Sequence, residues 1–252
     1  MKLKRLFFML SVLICASWAS ADAVDEQTLN KYFPQYSRAN QCWIANVEQG
    51  SYCMKIDASK TVNTTSGKQR FILVAGDRFD FTQNIPNGSH VDSGTVAMFV
   101  LQQINNKWQV IAADTEIDVG AYGRAPTDWA FHQFGPDTYG FLNEHGDAHQ
   151  GYAGSDYAIL VPDGKKIAKH WVGASANDEN ADLDEAKVTV LESKLEIDSS
   201  VSVKTGLYPL LITVNGKEGK KRYNNSVYKI PYDQTKKIYT PPKNYPLGKR
   251  DY

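Results

Sequence analysis

Phe71-Ile72-Leu73-Val74-Ala75 is an unbroken apolar run that ends at Gly76-Asp77. An apolar run of this length, followed by a turn signal, is typical of a β-strand that is buried on both faces. Other β-rich segments occur on both sides of the run, whereas few segments have a helical period. The sequence therefore predicts an all-β fold with little helix.

Turn signals divide the chain into short strands. Asn105-Asn106 separates two β-rich segments, residues 95–104 and 108–113, and asparagine tolerates the positive φ angles of a tight hairpin turn. Three further reversals are predicted at Gly135-Pro136-Asp137, Pro162-Asp163-Gly164 and Asn215-Gly216, the last as a type I′ turn. Turns at this spacing favour a β-sandwich or an irregular barrel, with a small propeller as the alternative.

Two later segments need separate interpretation. Residues 187–197 alternate between apolar and polar positions and are interpreted as a strand, with a short helix over residues 181–195 as the alternative. The tail from Tyr239 contains three prolines, so we expect it to be extended. Its apolar side chains would pack it onto the body of the protein through Tyr239, Tyr245 and Leu247.

The N-terminus has the order of a secretory signal peptide. Basic residues precede an apolar run over residues 6–14, and Ala19-Ser20-Ala21 forms a small-residue cleavage signal. The run is too short for the roughly 20 residues of a membrane-spanning helix, and Ile14 is an unusual residue before a lipid-modified Cys15. We therefore expect residues 1–21 to be removed and residues 22–252 to form a single β-rich domain, periplasmic or secreted.

Charge and cysteine content limit the partners and the compartment. The chain contains 28 basic and 28 acidic residues, so no basic excess attracts nucleic acid or an anionic membrane. No segment after the leader is long and apolar enough to span a bilayer. The mature chain keeps two cysteines, Cys42 and Cys53, and an even pair in an oxidising compartment predicts one disulfide.

Residues 120–157 combine aromatic rings, glycines and three histidines. Flat rings with neighbouring carboxylates can recognise a protein or a glycan, whereas the same residues can simply fill a β core. The candidate ligand-binding residues are Tyr122, Asp128, Trp129, His132, Tyr139, Glu144, His145, Asp147 and His149.

Evidence for catalysis is weaker. The chain has no Gly-x-Ser-x-Gly and no His-Glu-x-x-His motif. His145, Asp147 and His149 are chemically suitable metal ligands, which makes a metal-assisted hydrolase an alternative function. Because Gly146 disfavours a helix, this segment is interpreted as a loop, where spacing does not set the geometry.

An acidic segment predicts a calcium site. Oxygen-bearing side chains occupy alternate positions at Asp178, Asn180, Asp182 and Asp184, and Ca²⁺ prefers several such oxygen ligands. Leu183 and Thr189 stand where an EF-hand loop needs glycine and glutamate, so an EF-hand is disfavoured. The alternative is a solvated acidic loop without a metal.

These observations together predict an exported, non-enzymatic binding protein of the cell envelope or extracellular space. It would recognise a protein or a glycan, and inhibition of an envelope-acting enzyme is one concrete form of that function. The competing predictions are the metal-assisted hydrolase and a structural envelope protein stabilised by calcium.

Overall fold

The computed structural model describes residues 23–181 and 184–248. It is 62% β-strand and 6% helix, which confirms the all-β class. The predicted signal peptide and Asp182 lie outside the described residues.

The first sheet is built from the N-terminal half of the chain. It follows helix α1 (Ala23–Tyr32), and its strands pair antiparallel in the order β1-β2-β3-β4-β6-β7, with β5 on β4. The strands are β1 (Gln35–Ser37), β2 (Cys42–Val47), β3 (Gly50–Thr64), β4 (Gly67–Asp80), β5 (Ile85–Pro86), β6 (Gly94–Ile104) and β7 (Lys107–Val119).

The second sheet contains seven antiparallel strands in sequence order, from β8 to β14. A short 3-10 helix, Glu185–Lys187, precedes β12. The strands are β8 (Ala130–Gly135), β9 (Thr138–His149), β10 (Tyr152–Asp163), β11 (Lys166–Asn177), β12 (Thr189–Ile197), β13 (Leu210–Glu218) and β14 (Lys221–Ile230), and a separate hairpin consists of β15 (Tyr232–Asp233) and β16 (Ile238–Tyr239).

The apolar run on β4 is buried on both faces, as predicted. Phe71 and Leu73 point into the core between the two sheets, where they meet Phe141 and Leu160. The intervening residues of the run face the opposite way, into a core shared with Leu29 of α1. Because successive side chains of a strand point to opposite faces, one short run contributes to two cores.

The second sheet bends sharply and covers its own outer face. Only two residue pairs join β11 to β12, so β12–β14 separate from the plane of β9–β11. The side chains of Ile159 and Val172 lie on the outer face of the second sheet, and they pack in one core with Ile212. The architecture is thus two packed sheets, the second folded on itself, and it is not a closed barrel.

Several local predictions are confirmed. Asn105 and Asn106 have φ angles of 49° and 60° and connect β6 to β7, as a tight hairpin turn requires. The disulfide joins Cys42 on β2 to Cys53 on β3. Residues 189–197 form strand β12, as preferred over the short helix, and only the 3-10 turn Glu185–Lys187 precedes it among the described residues.

One turn prediction and one loop prediction are wrong. Asn215-Gly216 does not reverse the chain, because β13 continues to Glu218 with a bulge between Val214 and Gly216. Gly216 has a φ of 119°, and a Cβ there would lie 2.0 Å from the Val190 carbonyl oxygen, so close packing explains this glycine. Likewise, residues 144–149 are not a loop but the second half of β9, paired along its length with β10.

The hairpin of β15 and β16 covers a buried histidine. His170 on β11 is 6% exposed, and its ring packs edge-on against Tyr232 and Tyr239 at centroid distances of 5.6 and 5.5 Å. Its Nε2 atom has no hydrogen-bond partner among the described residues. Burial lowers the pKa of His170, while the negative charge of Asp163 acts in the opposite direction.

We expect acid to weaken the fold through His170. Because its pKa is lowered in the folded state, the unfolded chain binds a proton first as pH falls below about 6.5, and stability decreases. The slope from this single group is at most about 1.4 kcal/mol per pH unit. Urea unfolding of wild type and His170→Phe between pH 7 and 5 measures it.

The variant should lose part of the acid sensitivity. A remainder is expected, because burial also lowers the pKa of His132 and His145. His149→Phe, at an exposed position, is the matched control and should keep the wild-type pH profile. Identical profiles for His170→Phe and wild type would show that this histidine does not contribute.

Candidate functional site

The most distinctive surface feature is Trp171 on β11, whose side chain is 40% exposed. The His145 ring lies 4.9 Å from its ring, and the Lys169 ammonium lies over it at 5.3 Å from the centroid. Lys169 and Trp171 are two residues apart on one strand, so the pleat places both on the same face. An aromatic platform flanked by polar groups results, and it is hereafter called the Trp171 face.

Strand register completes the Trp171 face. On β10, Asp156 is directly opposite His145 and Ala158 is opposite Trp171. Ala158 is also opposite Asn143 on β9, so this small residue lies between the amide and the indole. The Asn143 amide donates a 2.8 Å hydrogen bond to the Thr127 carbonyl oxygen, which brings the segment before β8 to the edge of the face.

Partial burial shifts the pKa values of the ionisable groups on the Trp171 face in the direction that favours their neutral forms. It lowers the pKa of His145, and the nearby positive charge of Lys169 lowers it further. Desolvation raises the pKa of Asp156. Desolvation also lowers the pKa of Lys169, although Asp118 and Asp114 oppose the shift. His145 is therefore neutral at pH 7 and has one ring nitrogen available as an acceptor.

Two buried polar atoms on the Trp171 face lack partners. Among the described residues, neither Asn143 Oδ1 nor His145 Nδ1 forms a hydrogen bond. An unsatisfied buried polar atom costs about 1–3 kcal/mol. By contrast, Lys169 Nζ already donates a 2.7 Å bond to the Asp118 carbonyl oxygen. The face thus has unused hydrogen-bonding capacity beside an exposed ring.

Some of the sequence-predicted residues belong to this face. His145, Asp147 and His149 alternate along β9 and share the face on which Trp171 lies. Glu144 points to the opposite side, where Ser155 donates a 2.7 Å hydrogen bond to it. His132 also lies away from the face and packs against Phe134 at 6.1 Å.

Most of the predicted rings are packed inside the protein. Trp129 is 4% exposed and belongs to the core between the sheets. Tyr139 stacks on Phe131 at 5.8 Å next to the same core. Tyr122 is 50% exposed but follows the end of β7. Asp128 lies on the connecting segment, where its backbone N–H donates a 2.9 Å bond to Asp57.

The described residues contain no group of three or more histidine, cysteine or acidic side chains placed to hold a metal. His145, Asp147 and His149 share a face, but an extended strand separates alternate residues by about 6.6 Å.

The acidic segment before β12 has local structural roles. Asp178 accepts a hydrogen bond from the Thr189 backbone N–H, and Asp184 caps the 3-10 helix by accepting from Ala186 at 3.1 Å. The Asn180 carbonyl oxygen lies so close to Gly151 that a side chain at residue 151 would clash with it. With Asp182 outside the described residues, the calcium site stays a prediction.

Sequence reasoning missed four members of the Trp171 face: Asn143, Asp156, Lys169 and Trp171. A usable signal existed, because Lys169-His170-Trp171 in a predicted strand places the cation and the indole on one face. Their approach to His145 was not predictable, since it depends on the register between β9, β10 and β11.

Comparison of the chain with protein-family models, curated proteins and solved structures finds no match. Within the described ranges, no helix is both long and apolar enough to cross a membrane.

Proposed function

We propose that this chain is an exported binding protein that recognises a glycan on the Trp171 face. The observation that carries the proposal is the pair of buried polar atoms without hydrogen-bond partners among the described residues, Asn143 Oδ1 and His145 Nδ1, next to Trp171, which is 40% exposed. A sugar has complementary chemistry, because its C–H face packs on an aromatic ring while its hydroxyl groups donate hydrogen bonds.

The charges of the Trp171 face support binding of a polar ligand. Lys169 is already engaged by the Asp118 carbonyl and the indole, so it holds the ring in place. Asp156, opposite His145, offers a further acceptor for a hydroxyl group. The metal-assisted hydrolase has less support, because His145, Asp147 and His149 are spread along an extended strand.

The test is calorimetric titration of the purified mature protein with cellotetraose, chitotetraose and soluble peptidoglycan fragments. We expect at least one of these glycans to bind. Trp171→Ala should weaken that binding at least about tenfold, since a tenfold change corresponds to about 1.4 kcal/mol and central aromatic anchors commonly contribute more.

Trp108→Ala is the matched control. Trp108 also carries a lysine over its ring, with Lys68 Nζ at 6.0 Å, but it packs on the α1 side of the first sheet. Its replacement should leave glycan affinity unchanged. Failure of all three glycans to bind, or equal affinity of wild type and Trp171→Ala, would contradict the proposal.

A further inference from the structure

A groove of about 410 Å³ opens beside β3 and β4, on the first sheet. Its volume lies within the range of small-molecule sites, about 300–1,000 Å³. It opens on the first sheet, whereas the Trp171 platform lies on the second sheet, and Thr127 borders both. The lining residues are Asn40, Cys53, Lys55, Ile56, Asp57, Ala75, Asp77, Phe79, Pro86 and Thr127.

The groove presents opposite charges on adjacent strands. Lys55 pairs with Ala75 across β3 and β4, and Asp77 is two residues further along β4. This diagonal arrangement places the two Cβ atoms about 7–8 Å apart on one face. Among the described residues, no carboxylate lies within 4.0 Å of the Lys55 ammonium.

The carboxylate of Asp77 is only partly used. Its Oδ1 accepts a 3.0 Å hydrogen bond from the Ala125 backbone N–H, and no other hydrogen bond to this carboxylate is formed within the described ranges. Asp57 differs, because its two oxygens accept from the backbone N–H groups of Asp128 and Trp129 at 2.9 and 3.0 Å. Asp57 therefore fixes the wall of the groove, whereas Asp77 keeps an oxygen free.

The remaining lining is largely apolar and held in place. Phe79 packs against Phe81 at 4.9 Å, and the disulfide of Cys53 fixes β3 to β2. The Asn40 amide donates a 2.9 Å bond to Asn84, which holds the segment before β5 next to the groove. Ile85 on β5 is 48% exposed, so apolar surface continues outside the cavity.

We infer that this groove binds a small zwitterion with an apolar side chain, that is, an amino acid or a short peptide with free ends. The Lys55 ammonium would pair with the ligand carboxylate, and the free oxygen of Asp77 would accept hydrogen bonds from the ligand ammonium. Phe79 and Pro86 would contact the apolar side chain. A ligand with only one charge would leave the other groove charge without a partner.

The test is titration of the full mature protein with the dipeptide Leu-Leu, followed by NMR chemical-shift changes. Two blocked forms, N-acetyl-Leu-Leu and Leu-Leu-amide, complete the ligand set. We expect Leu-Leu to bind with at least about tenfold higher affinity than either blocked form. Lys55→Gln should remove the preference for the free carboxylate, and Asp77→Asn should remove the preference for the free ammonium.

Both substitutions are at exposed positions, and circular dichroism verifies that the variants are folded. Lys60→Gln, at an exposed position further along β3, is the matched control and should bind like wild type. The inference is overturned if Leu-Leu produces no shifts at millimolar concentration. It is also overturned if the blocked forms bind equally well, or if Lys55→Gln binds all three ligands like wild type.

Discussion

Replacing Asp25 with alanine should lower the free energy of unfolding by about 3–5 kcal/mol, the usual cost of removing one partner of a buried ion pair. Asp25 is 1% exposed in the first turn of α1. Its two oxygens accept from Arg70 Nε and Nη2 at 2.5 and 2.7 Å. Without the carboxylate, Arg70 on β4 keeps a poorly solvated charge, since its side chain is only 14% exposed.

Urea denaturation of the protein measures the effect. Glu26→Ala removes an exposed carboxylate from the same turn of α1 and should change stability by no more than about 0.5 kcal/mol. The double variant Asp25→Leu, Arg70→Met should recover much of the loss, because it removes both charges and keeps apolar volume. Equal destabilisation by Asp25→Ala and Glu26→Ala would exclude a structural role for the pair.

Replacing Tyr245 with alanine should cost a similar amount, about 3–5 kcal/mol, which is typical of truncating a buried aromatic side chain. Tyr245 is 5% exposed and belongs to the core of the folded second sheet. Its ring packs edge-on against Tyr228 at 5.4 Å. Burial raises the pKa of its hydroxyl group, which remains protonated and donates to the Gly173 carbonyl oxygen at 2.5 Å.

A conservative variant distinguishes the contribution of the ring to stability from that of the hydroxyl group. Tyr245→Phe keeps the packing and loses one hydrogen bond to β11, so it should cost only about 1–3 kcal/mol. Amide hydrogen exchange should show faster exchange on β11 in Tyr245→Ala than in Tyr245→Phe. If the two variants were equally stable, the packing of this ring would not be what holds the tail.

The sequence predicted those parts of the fold that local chemistry determines. The apolar run on β4 and the Asn105-Asn106 turn carry their own signals, because burial on both faces and positive φ angles each restrict residue type. Asn215-Gly216 misled the prediction, because pairing with β12 extends β13 past it. The bend between β11 and β12 depends on contacts far apart in sequence, and no local pattern marks it.

The candidate site was only partly predictable for the same reason. His145 and Asp147 were identified from residue type, and the strand places both on the Trp171 face. Trp129 and Tyr139 were chosen as rings suitable for recognition, but aromatic side chains serve cores equally well, and these two pack toward the first sheet. Exposure separates the two uses of a ring, and it is a property of the tertiary structure alone.

The central strands of the second sheet form a wall between two hydrophobic interiors. On β10, Leu160 contributes to the interior on one side and Ile159 to the interior on the other. Unfolding of this strand would therefore expose both hydrophobic interiors to water at once. We expect neither interior to unfold while the other stays folded. The described chain should respond to heat or denaturant as one cooperative unit.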